Sequence, residues 1–119
     1  MATQYARGRA FEYRVKSLLE KHGYFVMRSA GSRSPVDLVA FRETQTIFIQ
    51  CKRHGAIDRN DVNILYDLSM KHGAMPVLSE IPKGKTRGID LWVLTGKMGR
   101  KQRKPLVRWS PDLDAEVAV

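Results

Sequence analysis

Two neighbouring apolar runs, "PVDLVAF" at residues 35–41 and "TIFIQCKR" at residues 46–53, constrain this chain more than anything else in it. Both are dense in Val, Ile, Leu and Phe, side chains that suit the pleated surface of a strand. The link between them, centred on "ETQ", is of hairpin length. The pair therefore belongs inside a sheet. Yet the first run contains a carboxylate, Asp37, and the second ends in Gln50, Cys51, Lys52 and Arg53. A sheet covered on both faces tolerates an unpaired acid or lysine poorly. Such groups need each other, a metal, or a place at the rim.

The surrounding pattern says what covers that sheet. Residues 4–22 read as a helix, with Phe11, Val15, Leu18 and Leu19 on one apolar stripe and Gly23 as its stop. A short strand follows at residues 24–29, then the loop "AGSRSP". A second helix fits residues 59–72, with Asp58 as N-cap, Val62, Leu65, Leu68 and Ser69 at helical spacing, and Gly73 as its end. "MPVLSEI" and "IDLWVLT" read as two more strands around "PKGKTRG". The tail holds "GRKQRK", a short strand "LVRW" and an acidic end. The order is α-β-β-β-α-β-β with a ragged end, which predicts an α/β domain on one mixed central sheet flanked by helices.

Length and composition narrow the classes. A chain of 119 residues fits one domain, taken here as residues 1–119. An apolar content of 43% is that of a globular chain. No apolar run approaches the roughly 20 residues of a membrane span, and "MATQYARGRAFEYR" lacks the apolar centre of a signal peptide, so a cytoplasmic location is expected. Cys51 is the only cysteine, which excludes an intrachain disulfide and a cysteine-cluster zinc site. His22, His54 and His72 have no metal-ligand spacing. Lys plus Arg number 21 against 12 Asp plus Glu, a net charge of +9 and a pI near 10.1. A polyanion is the expected partner, nucleic acid first.

The embedded charges carry the chemistry. Alternation puts Gln50 and Lys52 on one face and Ile49 and Cys51 on the other. In an antiparallel hairpin Asp37, near the start of its strand, and Lys52, near the end of the next, lie at the same end of the sheet. Taken alone, the pair is equally well a buried ion pair that fixes register. Glu12 shifts the balance. It sits on the margin of the first helix's packed face, from which a carboxylate reaches the sheet, although Lys16 one turn on offers it an ordinary surface pair. Two acids, an amide oxygen and a lysine around one point suit a magnesium-dependent phosphodiesterase. Hard oxygens bind Mg²⁺, which keeps several waters, lowers the pKa of a bound water and neutralises phosphate charge. A lysine can hold the nucleophile or the pentavalent phosphate.

The order Glu12, then Pro35-Val36-Asp37, then Gln50-Cys51-Lys52 at a strand end resembles the PD-(D/E)XK nuclease superfamily. Within it, "RGRAFEYRVKSLLEKHGYFVMRSAGS", "VDLVAF" and "IQCKR" closely resemble the archaeal-type Holliday junction resolvases, from about residue 7 to residue 53. The resemblance implies a restriction-endonuclease-like fold and a homodimer making paired cuts across a four-way DNA junction. It implies Glu12, Asp37, Gln50 and Lys52 as catalytic residues, with Glu12, Asp37, Gln50 and the Cys51 carbonyl around Mg²⁺, for which Mn²⁺ is a possible substitute. It implies DNA contacts at Arg7, Arg28, Ser32, Arg33 and Arg53.

Gln50 departs from the family, which usually has glutamate there. A neutral amide oxygen is still a Mg²⁺ ligand but removes one negative charge, and other branches of the superfamily use Gln-X-Lys. The Cys51 side chain faces the apolar side, as a small hydrophobe. "RSAGSRS" can offer hydroxyl and N–H donors to phosphates, while "KGKTRG" and "GRKQRK" are cationic segments that either grip DNA or solvate the protein. No aromatic ladder for stacking single-stranded bases is present. Trp92, Met70, Met75 and Leu78 read as core or subunit contact. Three functions therefore stand: a junction-resolving endonuclease, a PD-(D/E)XK nuclease on other DNA, and a catalytically silent junction-binding module.

Overall fold

In a computed structural model, which describes residues 3–29, 34–53, 58–99 and 105–112, the elements run α1 Gln4–Lys21, β1 Phe25–Arg28, β2 Leu38–Arg42, β3 Gln45–Lys52, α2 Arg59–Lys71, β4 Met75–Glu80, β5 Asp90–Leu94 and β6 Leu106–Arg108. This is the order expected from the sequence, including the short last strand. The six strands form one sheet in sequence order. Only β3 and β4 pair in parallel, and α2 makes that crossover; the other neighbours are antiparallel. Among the described residues no helix is long and apolar enough to cross a membrane.

The two helices are built alike. Each starts on a side-chain cap: Thr3 Oγ1 accepts from the Ala6 N–H at 3.0 Å, and Asp58 Oδ1 from the Asp61 N–H at 3.1 Å. Each ends in His-Gly. At α1 the Gly23 N–H donates to Glu20 O and the Tyr24 N–H to Leu19 O; at α2 the Gly73 N–H donates to Met70 O and the Ala74 N–H to Ser69 O. Both are Schellman endings, which need a left-handed residue after the cap, and Gly23 and Gly73 supply it at φ 87° and 67°. The turn throws each chain straight into a strand, β1 after α1 and β4 after α2.

Strand alternation then sorts the core into two layers. Ile47 and Ile49 of β3 pack with Phe11, Val15 and Leu19 of α1 on one face of the sheet. Phe48, between them, packs with Val62 and Leu65 of α2 on the other. Burying a Leu, Ile, Val or Phe side chain contributes about 1.5–3 kcal/mol, so both faces of β3 are committed and the polar residues at its end are pressed to the rim. Trp92 is no core residue. Its Nε1 donates to Glu80 Oε1 at 3.1 Å, and Arg108, held by Asp90 at 2.7 Å, lies over its ring.

Candidate active site

Where β2 parts from β3, the hairpin is irregular. Leu38 is paired with Ile49, yet the Asp37 N–H also donates to Ile49 O at 2.8 Å. Asp37, just before β2, and Leu38 thus both oppose Ile49 of β3, the arrangement of a β-bulge, which re-aims a side chain. The Asp37 carboxylate then takes the place of a backbone acceptor: its Oδ2 accepts the Cys51 N–H at 2.8 Å. The acid is pinned to the strand end that carries Lys52, as the hairpin argument required.

Glu12 comes to the same place from α1, but not with the partner that helix spacing offered. Lys16 pairs with Glu20 at 2.9 Å, and Glu12 Oε1 instead accepts from Arg28 Nε at 2.8 Å. Arg28 lies over the Tyr13 ring. The hydrogen bond to Glu12 holds the guanidinium even more firmly protonated than an ordinary arginine. Arg28 therefore spends one edge on a site carboxylate, and the Tyr5 side chain draws on the guanidinium too.

A cleft of about 590 Å³ opens over these groups, lined by Gln4, Arg7, Gly8 and Glu12 of α1 and by Cys51, Lys52 and Arg53 at the end of β3. Five of the residues singled out from sequence line it. Asp37 does not line it and is tied to it by the Cys51 N–H. Gln50 is close in sequence but differently placed: it does not line the cleft, its side chain is buried, 4% exposed, and its Oε1 has no hydrogen-bond partner among the described residues. Cys51 packs against the α1-side core, and burial pushes its thiol far above the usual range, so it is no nucleophile. Ser32 and Arg33 lie outside the described residues.

The electrostatics of the rim centre on Asp37. Asp37 is pushed up from 3.8 to about 6, first by burial and then by the negative charge of Glu12, with the Cys51 N–H, Lys52 and Arg28 pulling the other way. The negative charge of Glu12 and burial both disfavour the ionised form of Asp37, and a cation beside that carboxylate would favour it. That fits a hard divalent cation, which takes carboxylate, amide and carbonyl oxygens. Among the described residues no three Asp, Glu, His or Cys side chains converge on a metal. Glu12 and Asp37 are the two carboxylates at this rim, so a divalent ion there would draw its other ligands from neutral oxygens and water.

Sequence reasoning passed over Gln4 and Gly8. Both were findable: Gln4, Gly8 and Glu12 stand four residues apart, one above the other on one line of α1. A Cβ on Gly8 would meet no heavy atom within 4 Å. Packing does not call for that glycine, although a mid-helix glycine costs about 0.5–1 kcal/mol relative to alanine. It leaves the cleft floor open to something outside the chain.

A mixed sheet with a helix on each face, and an acid, a bulged acid and a Gln-X-Lys strand end at one rim, defines the restriction-endonuclease-like class. Comparison with known proteins makes the assignment particular. The sequence model described as "Archaeal holliday junction resolvase (hjc)" matches residues 3–107. The crossover junction endodeoxyribonuclease Hjc of Methanocaldococcus jannaschii is 37% identical over 99 residues, 80% of this chain and 74% of that protein. The solved structure of Archaeoglobus fulgidus Hjc, described as a Holliday junction resolvase from an archaeal hyperthermophile, has a similar fold. Its TM-score is 0.65 at 23% identity, over 94% of this chain and all of that one. This chain belongs to the archaeal Holliday junction resolvase family.

Proposed function

We propose that the protein is a metal-dependent endodeoxyribonuclease that resolves four-way DNA junctions by paired phosphodiester hydrolysis, acting as a homodimer with Mg²⁺, or Mn²⁺ in its place. The observation that carries the reading is the convergence of Glu12, Lys52, Arg7 and Arg53 in one cleft against the bulged Asp37. Glu12, Asp37, Gln50 Oε1 and the Cys51 carbonyl would hold the ion, which when bound supplies an activated water and neutralises charge on the phosphate. Lys52 is the cation nearest the chemistry. It steadies the attacking oxygen or the pentavalent phosphorus as negative charge gathers there. Arg7 and Arg53 flank it and seat the phosphates on either side. Arg28 holds Glu12 in place by one oxygen and leaves the other free.

Two copies suit the substrate. A four-way junction has two-fold symmetry, and paired cuts need two sites at a fixed separation. The chain also exposes apolar side chains that a second copy would cover: Phe25 and Phe41, paired across β1 and β2, with Met27 beside them, are 67%, 39% and 54% exposed.

The test is cleavage of a labelled four-way junction beside a linear duplex of the same sequence, in Mg²⁺, Mn²⁺ and EDTA. Paired nicks on the junction alone, abolished by EDTA, are expected. Cutting of both substrates alike would make the protein a nuclease on other DNA. A second reading, a junction-binding module without cleavage, is favoured by the neutral Gln50 and by the hold of Arg28 on Glu12. Tight binding without cuts in either metal would establish it. On the first reading Gln50→Glu keeps or raises Mg²⁺-supported cleavage; an inactive Gln50→Glu variant removes Gln50 from the ligand set.

A further inference from the structure

The flank of α1 leading away from the active cleft is cationic without internal compensation. Arg7, Arg14 and Lys21 are seven residues apart. Seven residues are close to two turns, so the three share one side of the helix and rise about 10.5 Å from each to the next. Arg7 lines the active cleft. Arg14 and Lys21 line a second and larger cleft, about 850 Å³, with Tyr13 and Ser17 of the same helix and Arg87 and Gly88 of the loop between β4 and β5. Arg14 ties that loop to α1, donating from Nη2 to Gly88 O at 3.2 Å. No carboxylate lines this cleft. Both acids of α1 are used elsewhere, Glu12 by Arg28 and Glu20 by Lys16. Among the described residues no carboxylate is paired with Arg7, Arg14, Lys21 or Arg87.

Clustered like charges do nothing for folding and cost a little of it. A polyanion along the flank would reverse that sign. The distance from Arg7 to Lys21, about 21 Å along the helix, matches roughly six nucleotides of one strand at 3.4 Å each. The loop lies at the right end of the molecule as well. β3 and β4 are parallel, so the loop leaving β4 starts beside the strand end that carries Lys52, where the Ile81 N–H donates to Arg53 O at 3.3 Å. The two clefts share no lining residue, and Arg7, two turns before Arg14 on the same side of α1, is the cation that lies between them.

We propose that Arg14, Lys21 and Arg87 form a backbone-contact track that seats one duplex arm of the branched substrate beyond the active cleft, with Arg7 as the join between the two. The track reads phosphate position and no base sequence. It gives the protein a way to prefer DNA that leaves the cutting site at a fixed angle. The proposal rests on the nuclease reading for the identity of the substrate, and its test does not need cleavage.

The test is junction binding in EDTA as a function of salt, for wild type and for Arg14→Gln/Lys21→Gln/Arg87→Gln, on junctions with long arms and with arms cut to a few base pairs. Each lost phosphate contact lowers the slope of log affinity against log salt by about 0.9. The triple variant should lose about 2–3 in slope on long arms and bind at least tenfold more weakly at about 0.1 M salt, with no difference on short arms. A control, Arg59→Gln/Lys71→Gln/Lys97→Gln, removes the same net charge from the α2 side and should leave the slope within about 1 of wild type. Unchanged slope in the track variant, an equal loss in the control, or an equal loss on short arms would overturn the proposal. Loss of Arg14 could shift the loop it holds. Lys21→Gln/Arg87→Gln, which breaks no hydrogen bond or ion pair among the described residues, should still lower the slope by about 2. If wild type binds junction no better than linear duplex, the resolvase reading fails, and the slope difference measured on the duplex still decides the track.

Discussion

The two helix–strand units of this protein share a construction and differ in use. Each helix is capped by a side-chain oxygen, buries one narrow stripe and ends in His-Gly before a strand. The stripes are Phe11, Val15 and Leu19 in α1, and Val62, Leu65 and Ser69 in α2. The difference lies on the margins. Around its stripe α1 carries Gln4, Gly8 and Glu12 at the active cleft and a cationic flank, Arg7, Arg14 and Lys21, that starts at that cleft and leads away from it. Beside the stripe of α2 stand Ile64 and Met70, both exposed, and Asp67, paired with Lys97 at the surface. Fold is set by the stripes, and chemistry by what stands beside one of them. Changes on the stripes should therefore act on stability in both units, and changes on the margin should act on activity in one.

The largest effect expected is on chemistry. Lys52→Ala and Glu12→Gln should each lower junction cleavage by about a thousand-fold, the scale of losing one group that meets developing charge. Urea unfolding of Lys52→Ala should stay within about 1 kcal/mol of wild type, as for a rim residue. Unfolding of both variants with retained junction cleavage in whatever remains folded would turn the cluster back into a structural ion network and erase the contrast between the helices.

Next come the stripes. Leu19→Ala and Leu65→Ala remove fully buried side chains from the two separate layers. Each should cost about 2–5 kcal/mol in urea unfolding, with the spread set by how far each site collapses. Equal costs would support two layers of equal weight. A much larger loss at Leu19 would show that the α1 layer, the one beneath the active cleft, carries most of the stability.

The margin also has its own pH dependence. Asp37 has a folded-state pKa of about 6 against an ordinary 3.8. Its native form thus holds a proton more tightly than the unfolded chain does, so its contribution to stability is complete below about pH 4, falls as pH rises towards 6, and is flat above. In EDTA, wild type should lose stability over that interval relative to Asp37→Asn, measured by urea unfolding at each pH. A divalent ion held by the ionised carboxylate should restore it at pH 7 and not at pH 4. No difference between the two proteins across the interval would mean that the acid is not strained by burial.

How much of this could be read beforehand follows from range. Elements and helix ends rest on patterns within about ten residues, and the meeting of Asp37 with Lys52 at one end of the sheet follows from a single hairpin; all are present. Three features were out of reach. The bulge at Asp37 depends on how β2 pairs with β3, and alternation along one strand cannot show a two-against-one register. The partner of Glu12 is Arg28, sixteen residues on, whereas helix spacing pointed to Lys16. The flank of Arg14 and Lys21 gains its meaning only when Gly88, distant in sequence, closes a cleft beside it. Gln50 is the mixed case. Its replacement of the usual glutamate was visible, but its burial without a partner was not.

The smallest expected effect separates the two kinds of glycine that the helices contain. Gly73 holds φ 67° at the end of α2, with open space where a Cβ would go. Gly73→Ala should therefore cost about 1–2 kcal/mol from backbone strain alone, and leave junction binding unchanged. Gly8 stands inside α1, also with nothing near its missing Cβ. Gly8→Ala should gain about 0.5–1 kcal/mol, because the helix no longer carries glycine's extra chain entropy. The same methyl projects towards the cleft floor between Gln4 and Glu12, so junction affinity should fall while stability rises. Opposite signs in one variant are the sharpest form of the comparison between scaffold and margin. A Gly8→Ala protein that is both more stable and binds junctions as well as wild type would mean that the floor of the cleft is not where DNA approaches most closely.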